Sequence, residues 1–366
     1  MSEADELTRW GPRGTAGVSF AAALRFVDVD VSLGGRKVLD RFSLALSPGE
    51  IVCLLGESGS GKSTALRVAA GIQKISAGSV TINDEIASGP GTHLPPDRRG
   101  IGLMFQDFAL FPHLTLLQNV TFGLKRLGRT AAQAQARQAL RRVGLDDRAA
   151  DYPHMLSGGQ QQRLALARTI APRPGVLLLD EPFSSLDARL REAVRAETLA
   201  VLRETHATTV LVTHDPEEAM ILGDRIALLR RGRIAQIDTA AAIYRSPVDL
   251  SAARFFSPLS EIEAVVRAGE VETPLGTVPA TGFGDGSRVV VAIRPVGAMD
   301  MSLAGPGIPG RIVAKRDAIG IDLCEVRVDG LDQPVGIRQR SDAGFAPGAD
   351  VYLSLNREHI LVFAKD

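Results

Sequence analysis

The feature that most constrains this chain is a glycine-rich segment at 56–64, GESGSGKST, which satisfies the pattern GxxxxGK[ST]. It follows the short apolar run Ile51–Leu55, which predicts a buried strand, and it opens a stretch at 64–72 with helical character. Glycines at these spacings let successive backbone N–H groups curl around phosphate oxygens, and the helix adds the positive end of its dipole. A plain connecting loop is the alternative. The pattern and its context favour a phosphate-binding loop made of Gly56, Glu57, Ser58, Gly59, Ser60, Gly61, Lys62, Ser63 and Thr64.

A second apolar run, VLLL at 176–179, predicts a buried parallel strand that ends in two carboxylates, Asp180 and Glu181. In a phosphate-binding loop, Lys62 would reach the β- and γ-phosphates and the Ser63 hydroxyl would bind Mg²⁺. Asp180 is placed to help hold that ion, and Glu181, on the other side of the chain, to accept a proton from an attacking water. An Asp-Glu turn without a chemical role is the alternative.

A third motif, LSGGQQQR at 156–163, predicts the start of a long helix. Ser157 is a natural N-cap, and Gln160 three residues later completes a capping-box pattern. Gly158 and Gly159 leave first-turn N–H groups uncovered, which makes a second anion site. Such a site is redundant within one chain unless it faces the nucleotide of another chain. A well-capped surface helix is the alternative.

Composition excludes several classes of protein. The 366 residues carry 42 basic and 42 acidic side chains, so a protein that coats nucleic acid is not expected. Cys53 and Cys324 form no CxxC pair, which argues against a thiolate zinc site and a disulfide framework and fits a reducing compartment. The N-terminal residues lack the apolar core of a secretory signal. No stretch approaches the roughly 18–20 apolar residues that span a bilayer.

The chain changes character twice. Residues 1–22 are rich in Gly, Ala and Ser without a steady period, which predicts a flexible leader. Over 23–247, strands alternate with helices, which predicts an α/β domain with a largely parallel sheet and a helical subdomain at about 108–165. Residues 248–366 contain short β-rich runs punctuated by Pro and Gly, which predict a small β-barrel or sandwich.

Taken together, these motifs resemble the nucleotide-binding subunits of ATP-binding cassette (ABC) transporters. The resemblance runs from about Leu24 to Pro247 and includes Gln106 in LMFQDFALFPHLT and His214 in LVTHD, in the family's order. It implies a P-loop NTPase fold, with a RecA-like core, an antiparallel β subdomain and a helical subdomain, followed by an OB-like (TOBE) accessory domain. The family's motif after the acidic pair is also present, as Ser184, Ser185, Leu186 and Asp187.

The resemblance also implies how the site works. Two chains would form a head-to-tail homodimer that sandwiches two ATP molecules with Mg²⁺. Glu181 would be the general base, and His214 would contact the γ-phosphate. Gln106 would contact Mg²⁺ or the attacking water and couple the site to the membrane partner. Without the family resemblance, the alternatives are a loop amide for Gln106 and a strand-end histidine without a catalytic role for His214. Each ATP would lie between Lys62 of one chain and Ser157, Gly158, Gly159 and Gln160 of the other, with Ser63, Gln106 and Asp180 as the expected metal ligands.

One position departs from the family. An aromatic residue commonly stacks on adenine just before the turn at Gly34, and this chain has Leu33 there. An aliphatic side chain offers weaker contact to the base. We therefore expect lower adenine affinity or weaker base discrimination.

The remaining motifs indicate the branch of the family. Residues 108–114, FALFPHL, resemble the groove where an importer's permease docks, with a core patch of the helical subdomain as the alternative. VAIRP at 291–295 resembles the accessory domain of iron, sulfate, polyamine and sugar importers. ETPLG at 272–276 resembles ferric-iron and thiamine-type members, and of these we favour ferric iron. The principal interpretation is the ATPase subunit of a bacterial binding-protein-dependent importer. It would lie peripherally on the cytoplasmic face of the inner membrane, with integral-membrane permease subunits and, indirectly, an external solute-binding protein as partners.

Two alternatives stay open at this point. The first is a soluble ABC ATPase acting in DNA repair or translation, a class that usually carries long coiled-coil insertions or two cassettes in one chain. The second is a tail, after about Pro247, that binds a regulator or the cargo itself, because small β-barrels often serve as ligand platforms.

Overall fold

The computed structural model describes residues 10–184, 186, 188–318, 320–341 and 344–365, with the backbone alone at 188–190 and 358. The chain divides into two compact units at Ile243 and Tyr244, four residues before the boundary expected at 247. Ser185 and Asp187, in the motif after the acidic pair, lie outside the described residues.

The first unit contains two sheets. Its strands are β1 (Leu24–Leu33), β2 (Arg36–Leu46), β3 (Ile51–Leu55), β4 (Ala77–Ile82), β5 (Glu85–Gly89), β6 (Thr92–His93), β7 (Ile101–Met104), β8 (Val176–Asp180), β9 (Thr208–Thr213), β10 (Arg225–Arg230) and β11 (Arg233–Asp238).

The central sheet has the strand order β11-β10-β3-β9-β8-β7. Neighbours from β10 to β7 run parallel, and β11 returns antiparallel to β10 as a hairpin. Residues of β3, β8 and β9 are all buried, which explains their continuous apolar runs, because a parallel sheet is covered on both faces. The other sheet, β2-β1-β4-β5-β6, is antiparallel.

Helices of the first unit cover the central sheet and form a separate helical layer. In the helical layer, Gly128 is the N-cap of the helix Arg129–Arg142, which is separate from the helix Leu116–Thr121. The helices of the two units are α1 (Lys62–Ala69), α2 (Leu116–Thr121), α3 (Arg129–Arg142), α4 (Gly158–Ile170), α5 (Ala188–Thr205), α6 (Pro216–Leu222), α7 (Ala240–Arg245) and α8 (Leu250–Phe256).

Residues 10–22, named here the N-terminal strap, are not the flexible leader that their composition predicts. The Gly11 N–H donates to the Arg142 carbonyl (3.0 Å), and the Ser19 N–H donates to the Thr205 carbonyl (2.8 Å). The Trp10 ring lies 5.9 Å from the Arg142 guanidinium. Hydrophobic periodicity does not detect this segment, because residues 10–22 form no helix or strand. The segment is held instead by single backbone hydrogen bonds to other elements.

The second unit is antiparallel β structure around one apolar core. Its two sheets have the orders β14-β13-β12-β15-β21 and β16-β20-β17-β18-β19, and both contribute buried side chains to that core, which makes the OB-like domain. Its strands are β12 (Ser260–Arg267), β13 (Glu270–Thr273), β14 (Gly276–Pro279), β15 (Arg288–Ile293), β16 (Met299–Ser302), β17 (Ile308–Ala318), β18 (Ile321–Val328), β19 (Val335–Arg340), β20 (Asp350–Leu355) and β21 (Ile360–Ala364).

Among the described helices of both units, none is long and apolar enough to cross a membrane.

Candidate functional site

The loop between β3 and α1 can be built only with glycine at two positions. A Cβ at Gly56 would lie 2.3 Å from the Leu229 carbonyl oxygen, so the neighbouring strand excludes a side chain. Gly61 has a φ of +112°, and a Cβ there would lie 2.9 Å from the Val38 carbonyl oxygen. The glycines of the pattern therefore let the loop pass close to β2 and β10 while it turns into α1.

The start of α1 suits an anion. No side chain caps this helix, so its first-turn N–H groups keep their capacity for a ligand. The Lys62 Nζ donates to the carbonyls of Gly56 (2.8 Å) and Glu57 (2.9 Å), which holds the ammonium over the loop. Burial lowers the pKa of Lys62, against the opposing influence of Glu181 and Asp180. These groups together form a positively charged cradle at the start of α1.

Asp180, at the end of β8, lies beside this cradle. Its Oδ1 accepts a hydrogen bond of 3.0 Å from the Ser63 Oγ. Burial raises the pKa of Asp180, and the bond from Ser63 acts in the opposite direction. A hydroxyl and a carboxylate in contact at the edge of a phosphate cradle are hard oxygen donors, which is the donor set that Mg²⁺ prefers.

Glu181 occupies a strained turn directly after β8. Its φ is +44°, a left-handed conformation uncommon for a residue with a side chain, and its N–H donates to the Val212 carbonyl (3.0 Å). Its Oε2 lies 3.2 Å from His214 Nδ1 and accepts from Gln106 Nε2 at 3.4 Å. The turn thus aims one carboxylate oxygen at the two other residues that the sequence singles out.

Lys62, Ser63, Gln106, Glu181 and His214 line one pocket of about 500 Å³, whereas Asp180 does not line it. The described lining residues include no Phe, Tyr or Trp, and Leu33 is not among them. The pocket wall near β2 is therefore aliphatic. Ser157, Gly158 and Gly159 do not line it either. The lining residues are Val38, Ser58, Gly59, Gly61, Lys62, Ser63, Thr64, Gln106, Glu181 and His214.

The start of α4 is the capping box that the sequence predicts. The Ser157 Oγ accepts from the Gln160 N–H, and Gln160 Oε1 accepts from the Ser157 N–H at 3.0 Å. Arg148 also donates to Gln160 Oε1 (3.0 Å), which fixes that side chain further. A Cβ at Gly158 would meet nothing within 4 Å, so the first turn of α4 is open towards solvent.

Sequence reasoning missed Arg168, near the end of α4, which holds the loop after Gln106. Its guanidinium donates to the Phe108 and Ala109 carbonyls at 2.7 Å each. Both of those residues have left-handed backbones, with φ of +61° and +43°. Charge-assisted bonds to two successive carbonyls stabilise that turn, so Arg168 is a positioning residue for Gln106.

Replacing this arginine tests that role. We expect Arg168→Ala to lower kcat for ATP hydrolysis about tenfold, because a displaced Gln106 costs orientation at the reacting centre, while KM changes less than about twofold. Arg168→Lys, which can reach one carbonyl, should recover part of the rate. The exposed Arg141→Ala is the matched control within the helical subdomain. An unchanged kcat for Arg168→Ala in steady-state assays would remove Arg168 from this role.

A second residue missed from the sequence is Glu218, on α6. The Thr213 Oγ1 donates to Glu218 Oε2 (2.6 Å) and accepts from the Asp215 N–H (3.0 Å). The carboxyl group is buried, and that burial raises the pKa of Glu218. This chain of bonds fixes the backbone on both sides of His214, which is itself largely exposed.

Comparison with known proteins places the chain in a family. A family model described as ABC transporter matches residues 39–184. The Fe(3+) ions import ATP-binding protein FbpC 2 of Rhodococcus jostii (strain RHA1) is 39% identical over 326 residues, which cover 89% of this chain and 90% of that protein. The chain belongs to the importer-type ATP-binding subunits of ABC transporters. It is accordingly an ATPase of that family, and the resemblance recognised in its motifs is confirmed.

Other relatives of this ABC subunit are named for different transported solutes. The spermidine/putrescine import ATP-binding protein PotA of Methylococcus capsulatus is 37% identical over 371 residues, covering 93% of this chain and 94% of that protein. The sulfate/thiosulfate import ATP-binding protein CysA of Mycobacterium bovis is 42% identical over 268 residues, covering 72% and 75%. These names give no support to the alternative of a DNA-repair or translation ATPase.

Among solved structures, the ABC fold of the first unit is similar to the ATP-binding cassette MJ0796. That chain, described as a dimer in a post-hydrolysis state with ADP and Pi, is 31% identical with a TM-score of 0.53. The match covers 59% of this chain and 98% of MJ0796.

Proposed function

We propose that this chain is the ATP-hydrolysing subunit of a bacterial binding-protein-dependent importer, and that it works as a head-to-tail homodimer. One observation carries the proposal. Lys62, Ser63, Gln106, Glu181 and His214 meet in one pocket, whereas the open first turn of α4 lies outside it. An anion site that does not line the nucleotide pocket of its own chain fits a site completed by the corresponding helix of a second chain.

The residues of the pocket fit a division of roles. The loop N–H groups and Lys62 bind the phosphates, and Glu181 accepts the proton of the water that attacks the γ-phosphorus as ADP leaves. His214 and Gln106 hold the Glu181 carboxylate in place through their bonds to Oε2. Because catalysis of this kind is mostly positioning, the strained turn at Glu181 is an expected cost of aiming that carboxylate.

A magnesium ion fits the oxygen donors beside the phosphate cradle. Ser63 and Asp180, already in contact, would hold it, and the Gln106 amide oxygen would complete the protein's share of the ligands. When bound, the ion neutralises charge on the phosphate oxygens. Burial raises the pKa of Asp180 because it destabilises the ionised carboxylate. A bound divalent cation would stabilise that carboxylate and offset the cost of its burial.

For the cargo, we favour ferric iron. The resemblance of residues 272–276 to ferric-iron importers agrees with the relatives named as Fe(3+) import proteins, which match over most of this chain. The subunit would lie on the cytoplasmic face of the inner membrane against permease subunits, with an external solute-binding protein supplying the cargo. Binding and hydrolysis of ATP would change the facing of the permease.

Uptake measurements test this function. Cells that lack the chain should lose uptake of radiolabelled ferric iron, and the wild-type gene should restore it while the Lys62→Ala variant does not. Parallel assays with labelled sulfate and spermidine separate the named cargo classes. Copurification of an integral-membrane permease with the tagged chain is expected. Unchanged uptake of all three solutes, or stable association with ribosomes or DNA in place of a permease, would contradict the proposal.

Leu33 does not line the pocket of the single chain, but it stands where the family commonly has an aromatic residue, and this leads to a prediction about the base. We expect Leu33→Tyr to lower KM for ATP about three- to tenfold with little change in kcat, because ring stacking contributes about 0.5–1.5 kcal/mol. It should also raise the preference for ATP over a pyrimidine triphosphate such as CTP. Leu33 is 42% exposed, so the substitution does not disturb the core. Equal KM values for both proteins would show that residue 33 does not contact the base.

A further inference from the structure

The second unit contains a pocket that the proposed function does not use. It has a volume of about 420 Å³ and lies against β17, β18 and β19. One wall is formed by Pro258, Leu259 and Ser260, which lead into β12, and by Pro295, which follows β15. The pocket therefore lies where the two sheets of this unit meet.

Strand register shows how the concave surface arises. Arg316, Leu323 and Arg338 are paired in one row across the three strands. The adjacent row on the same face is Ala314, Glu325 and Gly336. Two small residues on the outer strands leave the space, and two arginines stand at its border.

The spacing of the arginines suits two anionic groups. Adjacent strands lie about 4.8 Å apart, so the Cα atoms of Arg316 and Arg338 are about 10 Å apart with the Leu323 side chain between them. Both residues are exposed, and neither has an ion pair or a side-chain hydrogen bond within the described part of the chain. By contrast, Arg254 and Arg311 in the same unit each have a carboxylate partner.

The backbone of this pocket is fixed before any ligand binds. The Gly336 N–H donates to the Ser260 Oγ (3.1 Å), and the Arg338 N–H donates to the Pro295 carbonyl (2.7 Å). These bonds tie the edge strand β19 to the opposite wall. A preformed wall lowers the entropy that a ligand must overcome on binding.

We propose that this pocket binds a small organic anion with two carboxylate groups. Each guanidinium binds one carboxylate through a bidentate pair of hydrogen bonds, and the carbon chain of the ligand lies over Leu323 and against the prolines. Glu325 lies two residues, about 7 Å, along the strand from Leu323 and repels the anionic groups, which keeps them at the arginine row. The site is separate from the nucleotide pocket, since its lining residues all belong to the second unit.

Calorimetric titration of the full chain with succinate, a dicarboxylate, tests the proposal, with excess ADP present so that the phosphate loop is filled. We expect a single binding event that weakens at least tenfold in the Arg316→Ala, Arg338→Ala double variant. Glu325→Gln should tighten it. Arg327→Ala is the matched control, because Arg327 is an exposed arginine of β18, the strand between the two arginines, and does not line the pocket. Inorganic phosphate, with one anionic group, should bind at least tenfold more weakly than succinate.

Three results would overturn the proposal. One is succinate binding that the double variant retains, and another is a loss in Arg327→Ala as large as in the double variant. The third is the absence of measurable binding to the wild-type chain at 150 mM salt. The substituted arginines are exposed, so thermal melting of the double variant should match the wild type and folding does not confuse the comparison.

Discussion

Glu181→Gln should reduce ATP turnover by about 10²–10⁴-fold, the usual contribution of a general base, while ATP still binds. The amide keeps the shape of the side chain and an oxygen that can accept from Gln106 and His214, so the pocket stays assembled. Without a proton acceptor, the ATP-bound state accumulates. Sedimentation with ATP and Mg²⁺ should then show a species of twice the 38.9 kDa chain mass.

Glu217→Gln is the matched control for that substitution. Glu217 lies in the first turn of α6, with its side chain 73% exposed. Its loss should leave turnover within about twofold. Full hydrolysis by Glu181→Gln would remove Glu181 from the base role.

Arg142→Leu should lower the free energy of unfolding of the first unit by about 3 kcal/mol, because it leaves two partly buried carboxylates without their buried partner. The Arg142 side chain is fully buried and bonds to both Glu204 oxygens, at 2.8 and 2.9 Å, with Glu197 at 3.4 Å. It also donates to the Gly11 carbonyl. Urea unfolding followed by circular dichroism measures the loss, and fluorescence of Trp10, the one tryptophan, reports release of the N-terminal strap.

The effect of Arg142→Leu should depend on pH in a defined direction. Burial acts to raise the pKa of Glu204, but hydrogen bonds from Arg142 and the strap backbone outweigh it, so the pKa is below its ordinary 4.5. In the wild type this stabilisation is present above about pH 4.5 and is lost as the pH falls through the lowered pKa. In Arg142→Leu the effect of burial on the pKa of Glu204 dominates, so protonation of the Glu204 carboxylate reduces the loss in free energy of unfolding. The difference between the two proteins should therefore be largest near neutral pH and shrink towards pH 4.

Arg137→Leu provides the comparison for this pair. Arg137 is half exposed and pairs with Asp146, and an exposed pair contributes about 0–1 kcal/mol. If Arg142→Leu costs no more than Arg137→Leu, the strap and its ion pairs do not stabilise the first unit.

Local patterns predict much of this fold and site. The phosphate loop, the strand ending in Asp180 and the capping box at Ser157 each follow from short-range chemistry, namely glycine geometry, continuous apolar runs and a serine followed by glutamine. The β-rich second unit follows from its alternating runs. For Gln106 and His214, by contrast, local pattern is silent, and the family resemblance alone singles them out.

What sequence could not supply depends on contacts between distant elements. Arg168 lies 59 and 60 positions from the two carbonyls that it binds, and in sequence it is one more arginine on a helix. Arg142 likewise donates to the Gly11 carbonyl, 131 positions away, and such a distant contact is why the sequence predicts a flexible segment over residues 10–22. The arginine row of the second unit appears only when the register of β17, β18 and β19 is known.

The most direct test of the shared ATP site is the Gly158→Asp change in the Glu181→Gln chain, measured by sedimentation with labelled ATP. A Cβ at Gly158 meets nothing within 4 Å, and aspartate suits the first turn of a helix, so folding should be preserved. The new carboxylate would repel the phosphates of a nucleotide held by the partner. We predict one ATP bound per chain, no ATP-dependent dimer and a sedimenting species of 38.9 kDa. A dimer as stable as that of Glu181→Gln alone would contradict the account, because the start of α4 would then not contact the partner's ATP.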